Sequence, residues 1–155
     1  MPKHTTEQGT LQNWICKDSG KIMGFKFGVR LPRYRGNMVS LINGYYVNVD
    51  GEVFPQDKIR FEINGKGPRT FEELKTAVWE HWNYRDTAYL WIEKEGGLAP
   101  GEHTVIANVS NFEQYGYMPG KDERRVKDGG EPVDENCVVW FVASTPETMT
   151  LQNAG

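Results

Sequence analysis

The chain has 155 residues, 38% hydrophobic and 12% aromatic, which is enough for one globular domain with a sizeable core and too aromatic for disorder. Its 18 basic and 21 acidic side chains give a net charge of −3, with no long run of one sign; this speaks against a nucleic-acid surface. No apolar stretch reaches the roughly 20 residues that a membrane-crossing helix needs.

The first ten residues, MPKHTTEQGT, have no apolar h-region, so no secretory signal is read there and a cytoplasmic location is expected. Residues 1–10 and 146–155 read as flexible termini around a single domain at 11–145. A first short strand is expected at 11–16, and a second at 22–31, where Phe25, Phe27 and Val29 alternate with Lys26, Gly28 and Arg30. The basic, aromatic segment RYRGN interrupts the pattern. Residues 39–49 resume it, and Asp50-Gly51 signals a hairpin before 52–54.

Residues 59–63 (IRFEI) form another alternating strand, closed by Asn64-Gly65. The one plausible helix lies within 70–82, where Phe71, Leu74, Val78 and Trp82 recur at helical spacing and Thr70 with Glu73 forms a capping-box signature. Thr76, Val78 and Trp79 oppose it, so the expectation is one short helix followed by a strand. Strands at 87–93 and 103–109 follow, the latter entered through Gly96-Gly97 and Pro100-Gly101 with His103, Val105, Ala107 and Val109 on one side. Residues 119–136 read as a long loop, in which the cluster KDERRVK (121–127) mixes its signs as solvated loops do. The apolar run 137–143 (CVVWFVA) reads as a central strand buried on both faces. The expected fold is all-β: a two-layer antiparallel β-sandwich of jelly-roll type with at most one short helix.

Signs of chemistry are sparse. His4, His81 and His103 lack metal-ligand spacing, and there is no nucleophile elbow, Walker loop or dinucleotide fingerprint. His103, on the apolar side of its strand, reads as a hydrogen-bonded structural histidine. Cys16 and Cys137 have no CxxC spacing and read as reduced packing residues. Aromatic residues offer two leads. Trp79, Trp82, Tyr89 and Trp91 could form a carbohydrate-stacking platform, against the plainer reading that they fill the sandwich core. Tyr34-Arg35-Gly36, and the segment QYGYM with Tyr117 and Met118, place aromatic and basic side chains in loops, where partner contacts concentrate.

Several motifs occur in a recognisable order: RLPRYRGNMVSLI, VNVDGEV, IRFEINGKGPRTFEEL, EKEGGLAPGEHTV and YGYMPG. Over roughly residues 22–120 the chain resembles the small β subunit of bacterial C-glycoside deglycosidases. That resemblance implies a jelly-roll sandwich paired with a larger TIM-barrel α subunit, which carries a divalent metal (Mn or Mg) and the acid/base residues. Such complexes cleave the C–C bond between a sugar and an aromatic aglycone, of flavonoid type, by elimination from a 3-oxo-C-glycoside. The resemblance transfers no catalytic residue, metal or cofactor to this chain. It implies an accessory role, with the small-molecule substrate bound mainly by the partner. Arg30, Tyr34, Arg35, Tyr117 and Met118 are then the expected subunit-contact or substrate-entrance residues. The rival readings are a free carbohydrate-binding module and a stand-alone enzyme with its own metal.

Overall fold

A computed structural model of the chain describes residues 6–31, 37–83, 85–112, 139–141 and 146–152. In chain order the elements are β1 (Thr6–Ile15), β2 (Ile22–Val29), β3 (Asn37–Met38), β4 (Ile42–Val49), β5 (Glu52–Phe54), β6 (Ile59–Ile63), β7 (Lys66–Arg69), α1 (Phe71–Leu74), β8 (His81–Trp82), β9 (Ala88–Glu93), β10 (Glu102–Phe112), β11 (Val139–Phe141) and β12 (Glu147–Thr150). One sheet runs in the order β1-β2-β9-β6-β7. The other runs β11-β10-β4-β5, with β12 also on β10, and β3 with β8 makes a small separate ladder. Every strand pairing is antiparallel. The protein is an all-β sandwich with one short α-helix among the described residues. No described helix is long and apolar enough to cross a membrane.

Alternation explains which side of each strand is buried. Phe25, Phe27 and Val29 of β2, Ile59, Phe61 and Ile63 of β6, and Tyr45, Val47 and Val49 of β4 all enter one core cluster. The layers meet ring to ring: Phe25 packs edge-on to Phe54 at 5.4 Å, and Tyr45 stacks on Phe61 at 6.5 Å. Asp50 and Gly51 have φ of 52° and 92°, and Asn64 and Gly65 have 56° and 75°. Such positive pairs are what two-residue hairpin turns require.

Four features differ from the sequence expectation or extend it. Strand β1 begins at Thr6 rather than near residue 11, and β12 lies in the stretch read as a tail. The helix is a single turn: Thr70 and Glu73 form the expected capping box, and then Thr76 and Val78, β-branched residues of low helix propensity, leave the helical path. Among the described residues β11 pairs with β10 alone, through Ser110, Asn111 and Phe112, and so ends its sheet where a central strand was expected. β12 takes the same side of β10 further down, along Glu102 to Val105, so the two short strands share one edge end to end. β12 also reaches the other sheet, where the Gln152 amide donates to the Leu11 carbonyl at 2.7 Å and Gln12 bridges Gln152. This closes one side of the sandwich.

Candidate functional site

The outer face of the first sheet carries a polar-aromatic cluster built by cross-strand register. Gln12, Lys26, Trp91 and Arg60 lie in one row across β1, β2, β9 and β6. In the next row Tyr89 pairs with Gly28 and Glu62. The Trp91 indole N–H donates to Glu62 Oε1 at 2.9 Å, and Lys26 Nζ sits 4.3 Å from the Trp91 ring centroid and 5.9 Å from that of Tyr89. Trp14 meets Trp91 edge-on at 5.6 Å and donates to the Ile92 carbonyl at 3.3 Å. A glycine at 24 makes this approach possible, because a Cβ there would strike the Ile92 carbonyl and the Trp14 ring nitrogen. Two shallow grooves of about 300 and 350 Å³ share Gln12 and Lys26, one continuing past Glu62 and Tyr89, the other past Trp14 and Trp91.

Chemically this face is a self-satisfied stack. The ammonium of Lys26 lies over the indole as a cation–π partner, so the Trp91 face that a sugar would use already has an occupant. Arg60 and Lys58 both turn to Glu93, at 2.7 and 3.5 Å. The Glu93 carboxyl is held below its ordinary range, first by the hydrogen bond from Arg60.

The four rings proposed as a carbohydrate platform are not brought together. Trp82 is wholly buried, packed edge-on to Phe61 at 5.4 Å with its N–H on the Asp86 carbonyl at 2.9 Å. Tyr89 and Trp91 are half-buried on the opposite side of the sheet from that core. Trp79 stands 94% exposed in the turn after α1. Of the expected contact residues, Arg30 lies at the end of β2, half exposed and ion-paired with Glu7. Tyr34, Arg35, Tyr117 and Met118 lie outside the described residues, as does Cys137; Cys16 is a free thiol.

His103 is buried on the apolar side of β10, as expected, and fully engaged. Its Nδ1 faces Asp50 Oδ2 at 2.6 Å and its Nε2 faces the Ala99 carbonyl at 2.7 Å. Asp50 Oδ1 accepts from the Thr104 amide at 2.8 Å. Desolvation alone would lower the imidazole pKa, but the hydrogen bonds to Asp50 and Ala99 and the carboxylate charge together raise it. Both neighbours are acceptors, so the ring is built to be an imidazolium. Among the described residues no three His, Cys, Asp or Glu side chains converge as a metal site.

Sequence reasoning missed Trp14, Lys26 and Asn13. Asn13 is buried and clamps the segment entering β10, accepting from the Leu98 amide at 2.9 Å and donating to its carbonyl at 3.0 Å. The one available signal was an asparagine and a tryptophan side by side in a strand, with Lys26 flanked by two core phenylalanines.

A family model described as C-glycoside deglycosidase beta subunit matches residues 1–115. The chain is 34% identical over 138 residues to the C-glycoside deglycosidase beta subunit of Eubacterium cellulosolvens, covering 89% of this chain and 88% of that protein. It is also 34% identical over 118 residues to the beta subunit of the same name from Microbacterium trichothecenolyticum, covering 74% of this chain and 81% of the relative. An antiparallel sandwich whose titratable groups serve cross-links, matched along most of its length in this way, belongs to the C-glycoside deglycosidase beta subunit family.

Proposed function

We propose that this chain is the accessory β subunit of a heteromeric C-glycoside deglycosidase. The observation that carries the reading is the near end-to-end match to a protein named as that subunit. The geometry supports it: His103 and Asp50 tie a hairpin to a turn, Glu80 and Glu93 hold arginines, and these groups act as braces. In this reading a larger TIM-barrel α subunit holds a divalent metal and binds the 3-oxo-C-glycoside. A base there removes the proton next to the ketone, and the aromatic aglycone leaves by elimination as its carbon is protonated. The β subunit supports that barrel and shapes its aglycone-side opening. Arg30, with Tyr34, Arg35, Tyr117 and Met118, belongs to the proposed contact set.

Co-expression with the cognate large subunit tests this. The expected result is a stable complex that releases aglycone from a 3-oxo-C-glycoside, while the large subunit alone loses most of that activity. A large subunit that is fully active alone and never co-purifies with this chain would overturn the reading.

A further inference from the structure

Val78 and Trp79 occupy the two corner positions of a turn in which the Glu80 amide donates to the Ala77 carbonyl at 3.3 Å. Turn corners ordinarily carry Gly, Pro, Asn, Asp or Ser. Here they carry a valine 49% exposed and a tryptophan 94% exposed, the most exposed large apolar side chain among the described residues.

This exposure is imposed by the surroundings. On one side Ala77 is buried, and its amide donates to the Leu74 carbonyl at 3.0 Å, continuing the capped turn of α1. On the other side Glu80 receives both Arg69 guanidinium nitrogens, at 2.8 and 2.9 Å, and its carbonyl accepts from the Val39 amide at 3.0 Å. His81 and Trp82 then pair with Met38 and Asn37, and Trp82 is locked in the core. A turn fixed at both feet places the indole in solvent on an ordered backbone, so docking has little backbone freedom to remove.

Several neighbouring charges are matched within the chain: Glu72 pairs with Lys75 at 2.9 Å, Glu73 caps Thr70, and Glu80 holds Arg69. The two corner positions themselves present only apolar side chains, so their complement is an apolar pocket. Tryptophan is among the residues that dominate interface energetics when it fills such a pocket.

We infer that Val78 and Trp79 form a docking knob that seats in an apolar pocket of the larger subunit. The inference rests on the heteromeric reading above and adds the residues that anchor it. A second copy of this chain is the poorer occupant. The grooves found among the described residues lie away from this turn, two by Lys26, Tyr89 and Trp14 and a larger one of about 930 Å³ along Ile22, Met23, Lys58 and Glu95. A knob from one copy seated there makes a head-to-tail contact, which only rings or filaments satisfy.

The test compares wild type, Trp79→Ala and Trp79→Phe for affinity to the cognate large subunit, by calorimetry or biosensor. Val53→Ala, another exposed apolar position, serves as control. Trp79→Ala is expected to weaken binding at least about thirtyfold, the scale of a hot-spot residue. Trp79→Phe should recover part of the loss, and Val53→Ala should bind as wild type. The isolated Trp79→Ala chain should melt within about 1 °C of wild type, as an exposed surface change does, which separates docking from folding. Binding by Trp79→Ala within about twofold of wild type overturns the knob and leaves the heteromeric reading intact. Absence of any binding by wild type overturns both. A self-association of the isolated chain that Trp79→Ala abolishes, with large-subunit affinity unchanged, also overturns the proposal.

Discussion

His103 joins two loops at once, with Nδ1 2.6 Å from Asp50 Oδ2 and Nε2 2.7 Å from the Ala99 carbonyl. The ring therefore pins the β4–β5 hairpin to the turn that enters β10. Because the folded state raises the imidazole pKa from 6.5, its contribution is complete below that value and is lost as pH rises through the higher folded pKa. Asp50 is shifted the other way, lowered from 3.8 chiefly by its hydrogen bond from His103. Its part is present above 3.8 and is lost as pH falls through the lower folded value. His103→Leu is expected to cost about 1–3 kcal/mol near pH 6 and distinctly less near pH 9. Urea unfolding at both values reads this, and an equal cost at the two would contradict the imidazolium assignment.

The Asn13 clamp on Leu98 sets a second expectation. Asn13→Ala removes both partners from buried backbone groups, at a cost on the order of 2–4 kcal/mol. Gly97→Ala should also destabilise, since Gly97 has φ of 63° and an added Cβ would strike the Asn13 amide. Lower denaturation midpoints for both, with a less than additive double variant, would show that they act on one joint.

Acid should weaken the fold through a separate set of groups. Glu80 and Glu93 are lowered from 4.5 first by hydrogen bonds from Arg69 and Arg60, and Glu73 by the hydrogen bond from the Thr70 backbone. Their contributions are present above 4.5 and are lost as pH falls through the lower folded values. Glu80→Gln is expected to lower stability at neutral pH by about 1–3 kcal/mol and to make the acid limb shallower. Thermal melts between pH 3 and 7 would display both effects; an unchanged acid limb would count against Glu80 as a contributor.

Tyr45 offers a stabilising change. Its ring is wholly buried and its hydroxyl has no hydrogen-bond partner among the described residues, while burial raises its pKa. Tyr45→Phe keeps the stacking on Phe61 and discards the unsatisfied oxygen, for an expected gain of about 1 kcal/mol. A melting temperature below that of wild type would show that the hydroxyl has a function in the core.

Much of the sandwich is legible in the sequence because its central strands alternate cleanly. IRFEI buries Ile59, Phe61 and Ile63 while Arg60 and Glu62 face out, and AYLWIE does the same with Ala88, Leu90 and Ile92. Turn chemistry places Asp50-Gly51 and Asn64-Gly65 correctly, because both pairs tolerate positive φ. What alternation cannot show is which strand lies beside which. The run CVVWFVA has the composition of a central strand, yet among the described residues β11 ends its sheet, because its position depends on pairing with β10, distant in sequence. β12 is short and polar in three of its four positions, so nothing local marks it as a strand.

The candidate site is less readable for a related reason. Trp79, Trp82 and Trp91 look equivalent in the sequence. They separate only when the chain folds, into a knob, a core residue and an outer-face stack capped by Lys26. Local pattern gives the residue type, while the single helical turn and the Arg69–Glu80 pair decide which way each ring faces.

β12 adds a constraint on how the chain is made. It follows every other described strand, so during synthesis it leaves the ribosome after them. Until it does, β1 and the lower part of β10 present unpaired edges, the kind of surface on which nascent chains aggregate. A chain without 147–152 should therefore expose an open seam between β1 and β10, which makes this short strand a safeguard against edge-to-edge association.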